Sequence, residues 1–217
     1  MKILIACEYS GAVRNAFIEQ GHDVMSCDLL PTDSPGPHYQ GSVFDVLNDG
    51  WDMMIAHPPC TYLAVSGNRW LYNKDKTKNE ERWKNREEGL DFVRALMNAP
   101  IEKIAIENPV SCISSEIRKP DQIIQPWQFG DEAQKTTCLW LKNLPKLKPT
   151  KIVGKGEFTT FKSGKRHPKW YADALATAKT KAERQKLRSK TFQGIADAMA
   201  DQWGNEVKTT KQLEIIQ

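Results

Sequence analysis

The alternation of short apolar runs with stretches of helical periodicity constrains the fold of this 217-residue chain more than any other feature. The runs at residues 3–7, 23–29, 51–56 and 103–106 have the length and the aliphatic content of buried strands. Each is too short to cross a membrane as a helix. Strands that alternate with helices predict an α/β fold built on a parallel sheet.

Amphipathic stretches lie between these runs. Apolar residues from Val13 to Phe17 recur at a helical spacing after the first run, and a longer pattern before the fourth run ends ahead of Pro100. A further pattern from Phe192 to Trp203 predicts a last helix that returns to the sheet. In the basic stretch before it, residues 171–190 are predicted to form one Lys/Arg-rich helix.

The charge is distributed unevenly along the chain. Residues 146–190 hold 14 Lys and Arg against 3 Asp and Glu, a net charge of +11, whereas residues 1–145 hold 15 against 20, a net charge of −5. We therefore expect a core at 1–145, a basic insertion at 146–190 that binds a polyanion, and a helix with a polar tail at 191–217. A solvated basic face is the alternative for the insertion.

The five cysteines form no CxxC pair, and the four histidines show no metal-ligand spacing. We expect neither a disulfide framework nor a metal site. Reduced cysteines, together with a first segment that lacks the features of a signal peptide, are typical of a cytoplasmic protein.

The turn after the first predicted strand reads CEYSG, and Asp28 lies 20 residues after Glu8. An acidic residue at this distance can reach the hydroxyl groups of a ribose. The glycine-rich fingerprint for a pyrophosphate is absent, because Gly11 is the sole glycine of the turn. This pattern favours a cofactor with a ribose and no phosphate, such as S-adenosylmethionine, although Asp28 could instead cap a helix.

Two further motifs end the third and fourth runs. Pro58 and Pro59 stiffen the loop after the third run and present Cys60 at the carboxyl end of a strand. Glu107 closes the fourth run, where partial burial predicts a raised pKa and a proton available near neutrality. The alternatives are a buried structural cysteine and a glutamate paired with Lys103.

A thiolate and a protonatable carboxyl at neighbouring strand ends suit methyl transfer to C5 of a pyrimidine. Addition of the thiolate at C6 makes C5 nucleophilic, and a proton shared with N3 stabilises the charge that develops on the ring.

The ordered motifs CEYSG, CD, PPC and ENPV, followed by the final helix, resemble the DNA cytosine-C5 methyltransferases, especially their short phage-type members. The resemblance implies a Rossmann-like methyltransferase sheet, S-adenosylmethionine as cofactor and double-stranded DNA as substrate. It implies that Cys60 is the nucleophile, Glu107 the partner of N3, Asp28 the ribose ligand and Asp45 the adenine ligand. The full set of cofactor residues expected from it is Cys7, Glu8, Tyr9, Ser10, Gly11, Asp28, Leu29, Asp45 and Pro58.

The chain departs from the family pattern in several places. CEYSG replaces the family's Phe-Gly-Gly turn, and ENP followed by Val110 replaces ENV. The family's Gln-x-Arg-x-Arg strand is missing, so Lys135 is the candidate for the group that contacts O2 of the cytosine. The asparagine expected before the final helix is replaced by Phe-Gln-Gly at 192–194.

A basic cluster beside His167 and Trp170 is suited to phosphate contacts and to stacking near a flipped base. Residues 68–88 are expected to form a loop that closes over that base, or else the charged start of a helix. So small an insertion predicts a short or relaxed recognition sequence. We further expect a monomer. The resemblance implies action in a prokaryotic or phage-infected cell, for instance in restriction–modification. The expected DNA-binding residues are Arg69, Lys162, Lys165, Arg166 and Lys169.

Three other functions remain compatible with the sequence. A methyltransferase for an exocyclic amino group would carry Asp, Asn or Ser before the two prolines, where this chain has His57. A catalytically silent DNA-binding homologue would need neither Cys60 nor Glu107. RNA could replace DNA as the substrate, with the same basic segment binding it.

Overall fold

A seven-stranded sheet forms the centre of the computed structural model, which describes residues 1–189 and 191–205. Its spatial order is β3-β2-β1-β4-β5-β7-β6, with β7 antiparallel to both neighbours and the other adjacent pairs parallel. The predicted α/β class with a mostly parallel sheet is therefore confirmed. The strands are β1 (Lys2–Ala6), β2 (Asp23–Asp28), β3 (His38–Gln40), β4 (Met53–Ala56), β5 (Lys103–Pro109), β6 (Gln122–Ile124) and β7 (Thr137–Lys142).

Helices cover both faces of this sheet because side chains along each central strand point alternately to either side. Leu4 and Ala6 of β1 pack with the core that includes α3, whereas Ile3 and Ile5 pack with the core that includes α1 and α7. The same strands therefore contribute side chains to both cores. The helices are α1 (Ala12–Glu19), α2 (Val43–Val46), α3 (Glu80–Met97), α4 (Ile113–Glu116), α5 (Lys169–Thr177), α6 (Lys181–Ser189) and α7 (Gln193–Gly204).

Three strands of the sheet carry no prediction from the sequence. β3 and β6 have three residues each, too few for a periodic signal, and β7 follows a proline-rich stretch. A separate two-stranded sheet, β8 (Phe158–Thr160) and β9 (Arg166–Pro168), precedes α5 in the basic segment. These elements depend on pairing with partners that are distant in the sequence, which local patterns do not report.

The single basic helix predicted at 171–190 is wrong. The structure has two helices, α5 and α6, because the chain leaves the helical conformation at Ala178. A new helix then starts at a cap in which the Thr180 hydroxyl accepts a hydrogen bond from the Glu183 amide at 3.0 Å. The end of the predicted helix, Lys190, lies outside the described residues, as does the polar tail from residue 206 onward.

Within residues 1–189 and 191–205, no helix is both long and apolar enough to cross a membrane. The final helix α7 packs against α1 and buries Ile195, Met199 and Trp203. The Trp203 indole donates a hydrogen bond to the Pro145 carbonyl at 2.9 Å, which ties the helix to the chain after β7.

Gly194 allows α7 to begin in direct contact with the backbone at Phe129. A Cβ atom built on Gly194 would lie 1.8 Å from the Phe129 carbonyl oxygen, a clash that is relieved only if the backbone moves. An alanine in a helix usually stabilises it relative to glycine. At position 194 the clash outweighs this gain, so we expect alanine to destabilise the protein.

We expect Gly194→Ala to lower the free energy of unfolding by about 1–3 kcal/mol, the usual cost of overpacking. Chemical denaturation would measure it. The control is Asp197→Ala on the exposed side of the same helix, which should change stability by about 0.5 kcal/mol or less. A Gly194→Ala protein as stable as the wild type would contradict the close contact.

Candidate active site

The strand order reverses between β1 and β4, and the crevice outside their carboxyl ends is where open α/β sheets bind ligands. Ala6 of β1 is level with Ala56 of β4, and Ala56 is level with Ile106 of β5. The next residues, Cys7, His57 and Glu107, therefore emerge side by side at this edge. Two of these three belong to the predicted site, and His57 is an addition from the structure.

Glu8 shapes the turn after β1. Its carboxylate is buried and accepts hydrogen bonds from the amides of Val13 at 2.7 Å and Arg14 at 3.1 Å, in the first turn of α1. The Ser10 hydroxyl donates to the same carboxylate at 3.2 Å. A negative charge here complements the positive end of the helix. The N-terminus of α1, where a phosphate would otherwise bind, is thus already filled by the protein's own carboxylate.

Tyr9 of this turn is buried beneath α6. Its hydroxyl group donates to the Lys186 carbonyl oxygen at 2.7 Å and lies 2.9 Å from the Ser189 hydroxyl. Gly11, which precedes α1, has a φ of 77°, a conformation that glycine adopts without strain. The structure therefore places Tyr9 and Gly11 in the walls of the turn.

Arg14, which the sequence analysis missed, fixes the loop between β2 and β3. The residue is 0% exposed, and burial lowers the pKa of its guanidinium while the charge of Glu8 acts in the opposite direction. It donates to the Ser26 hydroxyl at 3.1 Å and to the Ser34 carbonyl at 2.8 Å. The sequence does hold a signal for the burial of Arg14, because it lies three residues before Phe17, on the apolar side of α1.

The predicted ribose and adenine ligands lie beyond β2. Asp28 ends this strand, and its carboxylate accepts a hydrogen bond from the Leu30 amide at 2.9 Å; Leu29 between them is exposed. Asp45 lies in the first turn of α2, where its carboxylate accepts from the Ser42 amide at 3.2 Å and from the Tyr39 hydroxyl at 3.1 Å. Asp45 therefore closes a capping box in addition to any role towards a ligand.

Cys60 is exposed, so the alternative of a buried structural cysteine is wrong. Its loop is held by the neighbouring strand, because the Asn108 amide group donates to the carbonyl of buried Pro58 at 2.8 Å. Further along, the Cys112 amide donates to the Leu63 carbonyl at 2.9 Å. The loops after β4 and β5 thus support each other and fix the position of the thiol.

Glu107 pairs with His57, not with Lys103. The His57 Nδ1 atom lies 3.2 Å from a carboxylate oxygen of Glu107, and the two side chains are 10% and 13% exposed. The Nε2 atom of His57 is buried and has no hydrogen-bond partner among the described residues. The sequence alone predicts no role for His57, which only differs from the Asp, Asn or Ser that amino-methyltransferases carry at this position.

The raised pKa predicted for Glu107 is wrong. Burial alone would raise the pKa of this carboxyl, but the hydrogen bond from His57 and the positive charges of Lys135 and His57 outweigh it and lower the pKa. Glu107 is therefore ionised near neutral pH. Any proton that it shares with a substrate has to be supplied when the substrate binds.

Two cations act on the Cys60 thiol. Loss of water around the sulfur and the charge of Glu107 raise the pKa of Cys60, whereas Lys135 and Arg188 oppose that rise. Lys135, the predicted partner of the base, lowers the pKa of both Glu107 and Cys60. Arg188, in the last turn of α6, was missed by the sequence analysis, because nothing local indicates that α6 folds over the site.

The predicted DNA-binding residues lie at the surface. Lys162, Lys165 and Arg166 are exposed around the β8–β9 hairpin. Lys169 is also exposed but forms an ion pair with Asp173 at 2.7 Å, which neutralises part of its charge. Arg69 is exposed after the loop that carries Cys60 and lies over Trp70, with 4.6 Å between its guanidinium carbon and the ring centre.

The stretch 68–88 consists of a loop and the charged start of a helix. The loop is held by the Asn79 amide, which donates to the Leu71 carbonyl at 2.9 Å, and α3 follows from Glu80. Arg82 of that helix donates to the Thr61 carbonyl at 3.0 Å, next to Cys60. The first turns of α3 therefore help to hold the loop that carries Cys60, and closure of 68–88 over a base stays a prediction.

Comparisons with known proteins add little to this geometry. No protein-family model matches the chain, and no curated protein matches it. Among solved structures, one similar chain is a candidate DNA modification methyltransferase encoded within a prophage of E. coli, with a TM-score of 0.45 and 14% sequence identity. The match covers 70% of this chain and 51% of that one, so this chain spans about half of that protein's length.

We expect His57→Ala to raise the pKa of Glu107. The variant loses the hydrogen bond from His57, so Lys135 becomes the main group that still opposes the effect of burial on this pKa. Carbon-13 NMR of the labelled glutamate carboxyl groups would follow the titration. His57→Asn, which keeps an N–H donor, should cause a smaller rise.

The same variants test the pH dependence of stability. Since folding lowers the pKa of Glu107, its contribution to stability is present above the unfolded pKa and is lost as the pH falls through the folded one. The loss on acidification should be smaller in His57→Ala than in the wild type. An unchanged Glu107 titration in both variants would show that the His57 contact does not control its charge.

Proposed function

We propose that this protein is an S-adenosylmethionine-dependent DNA methyltransferase that acts on C5 of cytosine. The observation that carries the proposal is the exposed residue Cys60 on a stiff loop, near the His57–Glu107 pair and under the influence of two cations, close to the switch point of the sheet. A nucleophile, a group for the polar edge of a base and positive charge for the reacting ring are thereby available in one crevice.

The residues around the turn fit S-adenosylmethionine better than a phosphate-bearing cofactor. Glu8 fills the N-terminus of α1, which leaves no place for a pyrophosphate there. Asp28, at the carboxyl end of β2, offers a carboxylate for the two hydroxyl groups of a ribose. Leu29, Asp45 and Pro58 would line the same edge. When bound, this cofactor supplies a methyl group attached to a positively charged sulfur.

In the proposed reaction, Cys60 acts as the nucleophile towards the base. Its sulfur donates an electron pair to C6, and the electrons of the C5–C6 double bond move into the ring, so that C5 becomes nucleophilic. Lys135, whose charge lowers the pKa of both Cys60 and Glu107, stabilises the negative charge that develops on the ring. Once C5 carries the methyl group that the cofactor would supply, with the cofactor's sulfur leaving as a neutral thioether, transfer of the C5 proton to a base restores the double bond and releases the thiolate.

Glu107 would bind the edge of cytosine that carries N3 and the exocyclic amino group. A carboxyl matches this edge when one proton lies between its oxygen and N3, while the other oxygen accepts from the amino group. Because His57 and Lys135 keep Glu107 ionised, binding of cytosine should be accompanied by uptake of that proton. A base with an N3–H donor and a carbonyl at C4 lacks the amino donor, so it does not match the Glu107 carboxyl in this way.

The basic segment supports a nucleic acid as substrate. Lys162, Lys165 and Arg166 project from the small hairpin next to α5 and are available for phosphates. The base must leave the duplex to reach Cys60, because C6 is inaccessible to a thiol inside the stack. Few side chains remain to read base edges, which supports a short recognition sequence.

The reaction is tested by expressing the protein in cells that lack cytosine methylation, followed by chromatographic mass spectrometry of the digested DNA. We expect 5-methylcytosine with the wild type and none with Cys60→Ala. Cys112→Ala, which removes a buried cysteine, is the matched control and should retain the product. N4-methylcytosine, or 5-methylcytosine with Cys60→Ala, would contradict the assignment.

The role of the hairpin is tested by the salt dependence of DNA binding. Replacing Lys165 and Arg166 with alanine should weaken binding and reduce the slope of log K against log salt by about 1.8, since each phosphate contact contributes about 0.9. Lys84 and Lys119, replaced together, remove the same charge elsewhere and should leave the slope nearly unchanged. Equal slopes in both double variants would mean that the hairpin is only a solvated surface.

A further inference from the structure

Helix α6 belongs to the basic segment, yet it contacts both loops of the candidate site. Two of its contacts are with the cofactor side of the crevice. The Tyr9 hydroxyl bonds to the Lys186 carbonyl and to Ser189, and the Lys186 ammonium group forms an ion pair with Asp33 and lies 5.1 Å from the centre of the Tyr9 ring. These contacts join residues that are more than 150 positions apart in the chain.

The third contact is with the nucleophile loop. The Gln185 side chain donates to the hydroxyl of Thr61, the neighbour of Cys60, at 3.4 Å. Residues three apart in a helix lie on the same side, so Arg188 follows Gln185 on the side that faces this loop. The effect of Arg188 on the pKa of the Cys60 thiol is consistent with this placement.

Aromatic side chains hold the Arg188 guanidinium in place. It lies 4.4 Å from the centre of the Tyr171 ring, and Tyr171 in turn stacks on His167 with 5.1 Å between the ring centres and an angle of 15°. A guanidinium placed over a ring still has N–H groups at its edge that can bind an oxyanion. Arg188 is exposed, so a ligand can reach these groups.

Arg188 and Glu107 belong to different parts of the site. Arg188 lies on the helix whose Gln185 bonds to Thr61, the neighbour of Cys60, whereas Glu107 pairs with His57 at the ends of the strands. In a pyrimidine nucleotide, C6 neighbours N1, which carries the sugar, and N3 lies on the opposite side of the ring. A base with N3 at Glu107 and C6 at Cys60 therefore directs its sugar and phosphates towards the side of Arg188.

We propose that Arg188 binds a backbone phosphate next to the flipped cytosine, and that α6 thereby links the DNA-binding segment to the nucleophile. The proposal rests on the proposed function, because it takes the base orientation from the roles of Cys60 and Glu107. An arginine can hold a phosphate with two parallel hydrogen bonds. Such a contact would place C6 at the sulfur, whereas Lys165 and Arg166 hold the duplex farther away.

The test uses duplexes that contain one mapped target cytosine, with native phosphates or with a neutral methylphosphonate immediately 5′ or immediately 3′ of it. Equilibrium binding and the single-turnover rate of methylation are measured for the wild type, Arg188→Ala and, as the charge-matched control, Lys165→Ala. Arg188→Lys keeps the charge without the planar fork. Thermal melting checks that each variant is folded.

On the native duplex, we expect Arg188→Ala to lose about tenfold or more in binding or in rate, the usual range for a hydrogen bond to a charged group. At one of the two positions, the methylphosphonate should cost the wild type a similar factor and cost Arg188→Ala less than about twofold. Lys165→Ala should lose the same factor as the wild type at that position. Arg188→Lys should fall between the wild type and Arg188→Ala.

Two results would overturn the assignment of Arg188. In the first, Arg188→Ala behaves as the wild type on the native duplex. In the second, every methylphosphonate costs Arg188→Ala as much as it costs the wild type, which would make Arg188 a general contributor of positive charge. Either result would leave the methylation itself intact. A wild type that forms no 5-methylcytosine would instead refute the proposed function, and the assignment of Arg188 with it.

Discussion

The buried charge of Glu107 is the constraint on which the candidate site depends. An isolated carboxylate at the end of a central strand is costly to remove from water, so the surrounding structure has to compensate it. His57, directly after the neighbouring strand β4, donates a hydrogen bond, and Lys135 from the segment before β7 brings a positive charge. Because Lys135 also acts on Cys60, the compensation of one buried acid shapes the environment of this thiol.

A second buried acid, Glu8, stabilises the turn after β1. The carboxylate of Glu8 is bonded to the first turn of α1, and Arg14, which follows it on that helix, fixes the loop after β2. These two residues set the shape of the crevice beside β1 and β2. Asp28 lies at the end of β2, where its carboxylate accepts a hydrogen bond from the Leu30 amide. The two sides meet at the switch point between β1 and β4.

The sequence predicts those parts of the molecule whose signal is local. The apolar runs of β1, β2, β4 and β5 and the amphipathic patterns of α1, α3 and α7 correspond to observed elements. Cys60 and Glu107 were placed at neighbouring strand ends because parallel strands share one carboxyl edge. The short strands β3 and β6 gave no comparable signal, since their stability comes from pairing along the sheet.

The errors at the site have a common physical cause. The pKa of Glu107 was predicted to rise because burial was considered without its partner, and His57 lies 50 residues away in the chain. Arg188 was missed because α6 reaches Thr61 across 124 residues. Electrostatic partners that distant are set by the packing of the whole chain, and the composition of a segment does not reveal them.

The account is tested most directly by trapping the covalent complex. The protein would be incubated with S-adenosylmethionine and duplex DNA in which every cytosine is replaced by 5-fluorocytosine, so that no recognition sequence has to be known. Fluorine at C5 cannot leave as a proton, so the bond between sulfur and C6 should persist after methyl transfer. We predict one DNA adduct on the peptide that contains Cys60. An adduct on another cysteine, or methylation of ordinary DNA without any adduct on the fluorinated duplex, would contradict the central role of this thiol.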